Sequence, residues 1–313
     1  MLKYILKRIG LMMLTLFIIA SLGFFMIRLM PGSPYDDPDY SDEIIAMLEE
    51  KAHLNEPIHI QYLYFLKDAI RGEWGVSLAI RPGVPVFDVL ADRIPVTLAL
   101  NIMSLIISLP LGLIAGTTAA LNKSALPDHI ISIFVVLFIS VPSFVMATGL
   151  QYFVAFKAGT APVLYQATGT FIDRLPSMVL PTLALSFGSI ATLCRYTRGE
   201  LIENVGAEYM VLAKTKGLGT GQAITRHAFR NSLVPLANII IPMFTNVMGG
   251  SLVVEKIFSV HGVGGIMTSS INTNDYWLTL AILMFYSAIT LATTLIVDIS
   301  YGLIDPRIRL EGK

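Results

Sequence analysis

The side chains of this 313-residue chain best suited to metal or nucleophilic chemistry are five histidines, His53, His59, His129, His227 and His261, and one cysteine, Cys194. No two of the histidines pair at i, i+4 inside an apolar run, which favours surface or interface roles over metal ligation. A lone cysteine builds neither a disulfide framework nor a cysteine-based metal site. The sequence contains no G-x-x-x-x-G-K-[ST], no H-E-x-x-H and no G-x-S-x-G. Gly262, Gly264 and Gly265 cluster as in a phosphate loop, but no Lys-Ser/Thr follows them. The expectation is therefore a chain that is not an enzyme and holds no cofactor of its own. Asp298, in LIVDISYGL, is the one acid inside an apolar run, and carboxylates in a membrane are functional candidates by default. It lies about eight residues before Pro306, hence ~12 Å from the end of that run, which favours a structural partner such as Arg195 or Arg198 over a substrate role. The uncharged Asn101, Gln151, Thr245 and Asn246 could line a path, or could hydrogen-bond neighbouring helices as such residues usually do.

A second concentration of reactive types is cationic. Glu208 to Pro235, EYMVLAKTKGLGTGQAITRHAFRNSLVP, carries Lys214, Lys216, Arg226, His227 and Arg230 against the single acid Glu208. From Val205 to Lys216 the apolar residues Val205, Tyr209 and Leu212 recur at i, i+4 and i+7, one face of a helix. Gly217, Gly219 and Gly221 at every second position predict a turn, and Ile224, Ala228 and Leu233 resume helical spacing. The pattern is a short amphipathic helical hairpin lying beneath a membrane.

The elements that position it are apolar spans. The chain is 54% hydrophobic and only 14% charged, with zero formal net charge and a mean hydropathy of +0.69, too little polar surface for a soluble domain. Ile9–Met26, Leu98–Ala120, Ile130–Phe156, Met178–Cys194, Leu233–Val254 and Trp277–Val297 each approach the ~20 residues that cross a bilayer. The fold class is an all-α polytopic membrane protein of about six transmembrane helices. Pro110 and Pro142 fall inside spans, and Gly112, Gly116, Gly188, Gly249 and Gly250 permit close helix approach. The first run is longer than a signal-peptide core and lacks an A-x-A-like site, which favours a retained anchor. Residues 31–92 are polar and acidic and read as a small extracytoplasmic domain, with a helix from Ile58 to Ile70 whose Ile58, Tyr62, Phe65 and Leu66 share a face; the alternative is a loosely ordered acidic loop. With the N-terminus inside, Lys3, Lys7, Arg8, Lys123, Arg195, Arg198, Lys214, Lys216, Arg226, Arg230, Arg307, Arg309 and Lys313 all collect on the inner side, as the positive-inside rule requires. The divisions are residues 1–30 (anchor and first span), 31–92, a core of 93–304 holding the loop 199–235, and a tail of 305–313.

The Ala213-x-x-x-Gly217 spacing followed by RHAFRNSLVP resembles the "EAA" loop of ATP-binding-cassette (ABC) importer permeases, most closely the oligopeptide/dipeptide type. LNEPIHIQYL, GEWGVS, ADRIPVTLAL, GSLVVEKIFSVHGVGG and ISYGLIDPRIRL are similar to strings at the same places in that family, so the resemblance spans nearly the whole chain. Val211 stands where the superfamily pattern has its Glu, Leu212 where it has the first Ala, and Arg230 replaces the usual Pro. The resemblance implies the type I importer permease fold and an ATPase-coupling loop at Tyr209, Ala213, Lys216, Gly217, Leu218, His227 and Arg230. Gly217 would make the turn, Ala213 would let its helix sit close in the ATPase cleft, and Tyr209 with Leu212 would hold the hairpin to the bundle. It also implies a second homologous permease, two cytosolic subunits that bind ATP and magnesium, an extracytoplasmic solute-binding protein, and residence in a bacterial cell membrane with both termini cytoplasmic. The implied cargo is peptides, with nickel, glutathione or sugars as alternatives. A self-sufficient carrier or channel is the rival from another class.

Overall fold

The computed structural model describes residues 2–35, 41–245 and 252–304. Apart from one antiparallel bridge between Val76 and Pro85, the regular structure of these residues is helical. In chain order the helices are α1 (Leu2–Arg28), α2 (Asp42–Lys51), α3 (Ile58–Arg71), α4 (Val86–Leu121), α5 (Leu126–Ser140), α6 (Ser143–Leu150), α7 (Phe171–Val205), α8 (Glu208–Thr215), α9 (Thr220–Ala223), α10 (Phe229–Thr245), α11 (Leu252–Ile257), α12 (Val263–Asn272) and α13 (Tyr276–Ile304). Two π-helical stretches, Gln151–Lys157 and Ile224–Ala228, continue α6 and α9.

Among the described residues four helices are long and apolar enough to cross a membrane: Ile5–Arg28, Val86–Leu121, Phe171–Val205 and Tyr276–Ser300. The run expected as one span from Ile130 to Phe156 is instead a pair, Leu126–Ser140 and Ser143–Lys157, bent by 104°. Pro142 has no N–H to give and pushes Val141 into extended backbone, φ −87 and ψ 122. Counting the pair as one span gives five. The run Leu233–Val254 is described up to Thr245 and again from Leu252, and Asn246, Gly249 and Gly250 lie outside the described residues. Pro110 leaves α4 continuous. α7 begins ahead of its apolar stretch, at a capping box in which Thr170 N–H and Oγ1 donate to Asp173 Oδ2 at 2.8 and 2.7 Å.

The described chain forms two compact units, Met1–Thr97 with His261–Ala292, and Leu98–Val260 with the chain from Thr293. In the first, the described residues of the 31–92 segment share their cores with α1, α12 and α13. Phe65 of α3 stacks on Phe24 of α1 with centroids 5.1 Å apart, and both share a core with Tyr276 and Leu280 of α13. Val86, Val89 and Leu90 of α4 pack with Val263 and Ile266 of α12 and with Leu278 and Ile282 of α13. The glycines at 262–265 thus open a helix, with Val263 N–H donating to Thr97 Oγ1 at 2.9 Å. Asp275, fully buried ahead of α13, accepts from the Ser77 hydroxyl at 2.5 Å and from the N–H groups of Leu78, Ala79 and Ile80 at 3.0, 3.2 and 3.1 Å.

The second unit is organised on α7, against which α5, α6 and α10 pack. A Cβ on Gly116 would stand 2.6 Å from Thr197 Cβ and 2.7 Å from the Cys194 carbonyl oxygen, so α4 approaches α7 there closer than any other residue allows. Gly112 meets Leu193 in the same way, whereas no described atom lies within 4 Å of a Cβ placed on Gly188.

Candidate functional site

The basic stretch is a hairpin. α7 stops at Gly206, and α8 starts after an extended Ala207, φ −72 and ψ 150. The helix expected to run unbroken from Val205 to Lys216 is therefore two helices, and its phase is reset at the break. Met210 and Ala213, not Leu212, form the inward face: they are 2% and 7% exposed, while Leu212 is 56% and Val211 64% exposed. Tyr209 does tie α8 down, half-buried, its hydroxyl donating to Asn204 Oδ1 at 2.6 Å.

The turn falls at Gly217, whose φ is +87. Leu218 N–H donates to Ala213 O at 3.2 Å and Gly217 N–H to Lys214 O at 3.0 Å, the paired bonds of a Schellman motif. Leu218 then packs back onto the hairpin's core. Gly219 and Gly221 have ordinary backbone, the one opening α9 and the other inside it. That core joins Met210, Ala213, Ala223 and Ala228 to Leu201 of α7 and Ala120 of α4. Ala213 is thus a small residue inside the hairpin, letting α8 lie close on its own chain, rather than a residue on an outer docking face. Outward stand Lys214, Lys216, Arg226, His227 and Arg230 beside Val211 and Leu212. Val211 and Leu212 thus stand exposed on the same hairpin as five exposed basic side chains.

One turn above Leu201, an ion pair braces the hairpin's mounting. Arg198 Nε and Nη2 donate to Asp128 Oδ1 and Oδ2 at 2.6 and 2.8 Å, a two-pronged fork. Asp128 is 2% exposed and also accepts from Ser124 N–H at 2.9 Å. α5, α7 and the turn after α4 are held at one point. Arg198 is therefore committed to Asp128 rather than to Asp298, and the guanidinium of Arg195 stands over the Tyr196 ring. The role of Asp128 does not show in periodicity; its signal is an acid in the first turn of a helix whose second residue is Pro127.

The expected path residues separate. Asn101 lines a cleft of about 220 Å³ with Ser104, Ser108, Leu185, Ser189 and Met243, a wall of hydroxyls, amide and aliphatic groups. Gln151 is structural, its Nε2 donating to Val163 O at 3.0 Å and Ile257 O at 2.9 Å. Asp298 is half-buried on α13. Asn246 lies outside the described residues, as does the Thr245 side chain.

Comparison with known proteins accords with this geometry. The family described as "Binding-protein-dependent transport system inner membrane component" matches residues 108–310, and "Binding-prot-dependent transport system membrane comp, N-term" matches residues 1–101. The dipeptide transport system permease protein DppB of Lactococcus lactis subsp. cremoris is 37% identical over 310 residues, 99% of this chain and all of that protein. DppB of Bacillus subtilis is 35% identical, with both chains covered in full. The oligopeptide transport system permease protein OppB of Haemophilus influenzae is 35% identical, covering 99% of this chain and all of that protein. Among solved structures, a chain of the MetNI methionine ABC transporter in inward-facing conformations superposes with a TM-score of 0.51 at 17% identity, over 69% of this chain and 97% of its own; that likeness concerns the fold alone. The chain belongs to the binding-protein-dependent transport system inner membrane components and, within them, to the dipeptide/oligopeptide permease family.

Proposed function

We propose that this chain is the permease subunit of an ABC importer that moves peptides, pairing with a second, homologous permease to enclose the path. A solute-binding protein delivers cargo at the extracytoplasmic face. Two cytosolic ATPase subunits, which hold the ATP and magnesium, drive the cycle. Both termini and the hairpin stand in the cytoplasm of a bacterial cell, the side on which the basic residues collect.

The observation that carries this reading is the hairpin: a compact alanine core turned inward, Gly217 closing the turn, and Val211, Leu212 and the cations turned outward. Such a body moves as a unit when its outer face is gripped. Its braced attachment at Asp128 and Arg198 carries the displacement into α5 and α7. Among the described residues the cleft at Asn101, Ser104 and Ser189 is lined by hydroxyls, an amide and apolar side chains and by no ionisable one, which suits cargo whose shared feature is the peptide backbone rather than any one side chain.

The test is co-purification from the native host in mild detergent. Recovery of a second permease and ATP-binding subunits, lost on deleting residues 213–230, is the expected result. Transport by the purified chain alone in liposomes without ATP would overturn the reading in favour of a carrier.

A further inference from the structure

The segment between α1 and α4 has the composition of an aqueous appendage, yet α3 is attached to α1 at membrane depth. The Tyr62 and Ser21 hydroxyls meet at 2.7 Å. Ser21 lies inside the apolar span Ile5–Arg28, roughly two helical turns, about 10 Å, before its last residue. Phe65 and Tyr62 pack on Phe24 and Phe25 along the same stretch of α1.

α3 buries only that side. Phe65 is 3% exposed, whereas Leu63 is 63% and Ile70 86% exposed. Leu63, Leu66 and Ile70 recur at i, i+3 and i+7, a stripe bordering the face that meets α1, and Lys67 and Arg71 form the next stripe round, away from it. On α1 itself Leu22 and Met26 stand 59% and 70% exposed, within the apolar span Ile5–Arg28.

We propose that α3 lies in the membrane interface, with Leu63 and Ile70 among the acyl chains of the leaflet at the C-terminal end of α1 and with Lys67 and Arg71 reaching the lipid phosphates. Three observations converge on lipid as the occupant. The apolar stripe borders the face that packs on the apolar span of α1, the depth of α3 is set by the Ser21–Tyr62 contact, and the cations follow on the flank turned away from α1. A soluble receptor meets the aqueous surface and does not reach side chains anchored that far inside. The inference rests on the chain spanning a membrane and not on its cargo, so its failure leaves the importer reading standing.

The test uses the full complex in nanodiscs of phosphatidylethanolamine and phosphatidylglycerol, carrying Cys194→Ser and one spin label at Leu63→Cys, Ile70→Cys, Lys67→Cys or the span control Leu22→Cys. Oxygen should relax the labels at 63, 70 and 22 several-fold more effectively than a water-soluble nickel chelate, with the order reversed at 67. Dominance of the chelate at 63 and 70 overturns the proposal, and chelate access there that disappears on adding the solute-binding protein identifies a docking face instead. In the unaltered complex, a lipid with a diazirine midway along its acyl chain should form adducts with α3 as it does with α1. Adducts on α1 without any on α3 overturn the proposal too.

Discussion

The hairpin at Gly217 and the loop at Ser77 both interrupt helices, and they satisfy their backbone in opposite ways. At Gly217 the chain caps itself: carbonyls of α8 accept from the N–H groups that follow, and alanines fill the interior. No charged side chain is used inward, so all the cations are left at the surface. At Ser77 three successive N–H groups and a hydroxyl converge on one buried carboxylate, Asp275, from far along the chain. The first arrangement leaves its chemistry free for another molecule. The second consumes it in holding the chain to itself. Polar groups mark an interface only when the backbone beside them does not need them.

The largest effect is therefore expected where one side chain serves several donors. Asp275→Ala removes the acceptor of four buried or half-buried donors and should cost about 3–5 kcal/mol, read as a lower midpoint of thermal unfolding of the complex in detergent, with Asp275→Asn losing less because its amide oxygen still accepts. Unfolding of Asp275→Ala at the parent temperature would break the contrast. The brace comes next. Asp128→Ala removes the fork to Arg198, whose side chain is 34% exposed, and should cost about 1.5–3 kcal/mol, while exchanging the two residues as Asp128→Arg with Arg198→Asp should recover part of it. The same variant should lower uptake per ATP hydrolysed, because α5 is no longer held to α7 at the hairpin's mounting. Unchanged coupling would show the pair to be structural only.

Much of the helical plan was legible because apolar runs are long and their period is local. The face of α3 through Tyr62, Phe65 and Leu66 and the turn at Gly217 follow from neighbours in sequence. What the sequence withheld was set by contacts between distant residues or by breaks that reset a period. Asp128 and Arg198 are 70 positions apart, and each alone looks like an ordinary boundary charge. Asp275 is legible as a residue before an apolar run, suited to starting a helix, but nothing local announces the loop it collects. Leu212 was placed inward by counting from Val205, and the extended residue at Ala207 makes that count meaningless. A proline inside an apolar run, as at Pro142, permits a kink, but nothing local sets its size, and both arms of the 104° bend pack on α7.

Gly217→Val tests the self-capped turn with a smaller effect. No atom lies within 4 Å of a Cβ placed there, so the cost is conformational, about 1–3 kcal/mol for holding a β-branched residue at positive φ. Relieved of that strain the turn would open and the Lys214–Arg226 surface would lose its shape. The assembled permease should persist in the membrane while ATPase subunits dissociate more readily during purification. Retention equal to the parent would separate the turn from docking.

Leu212→Ala should have the smallest effect on the chain and the sharpest meaning for the comparison. The side chain is 56% exposed and on the side of α8 opposite Met210, so its loss should change stability by no more than about 0.5 kcal/mol. If the hairpin's chemistry is kept for a partner, the same truncation should weaken ATPase-subunit binding by about 1–2 kcal/mol, a factor of about 5–30. A matched change in both quantities would make Leu212 part of the hairpin's own packing. A change in neither would move the docking face to the cations alone, where Lys216→Ala and Arg230→Ala would then weaken binding in a salt-dependent way that an aliphatic contact does not show.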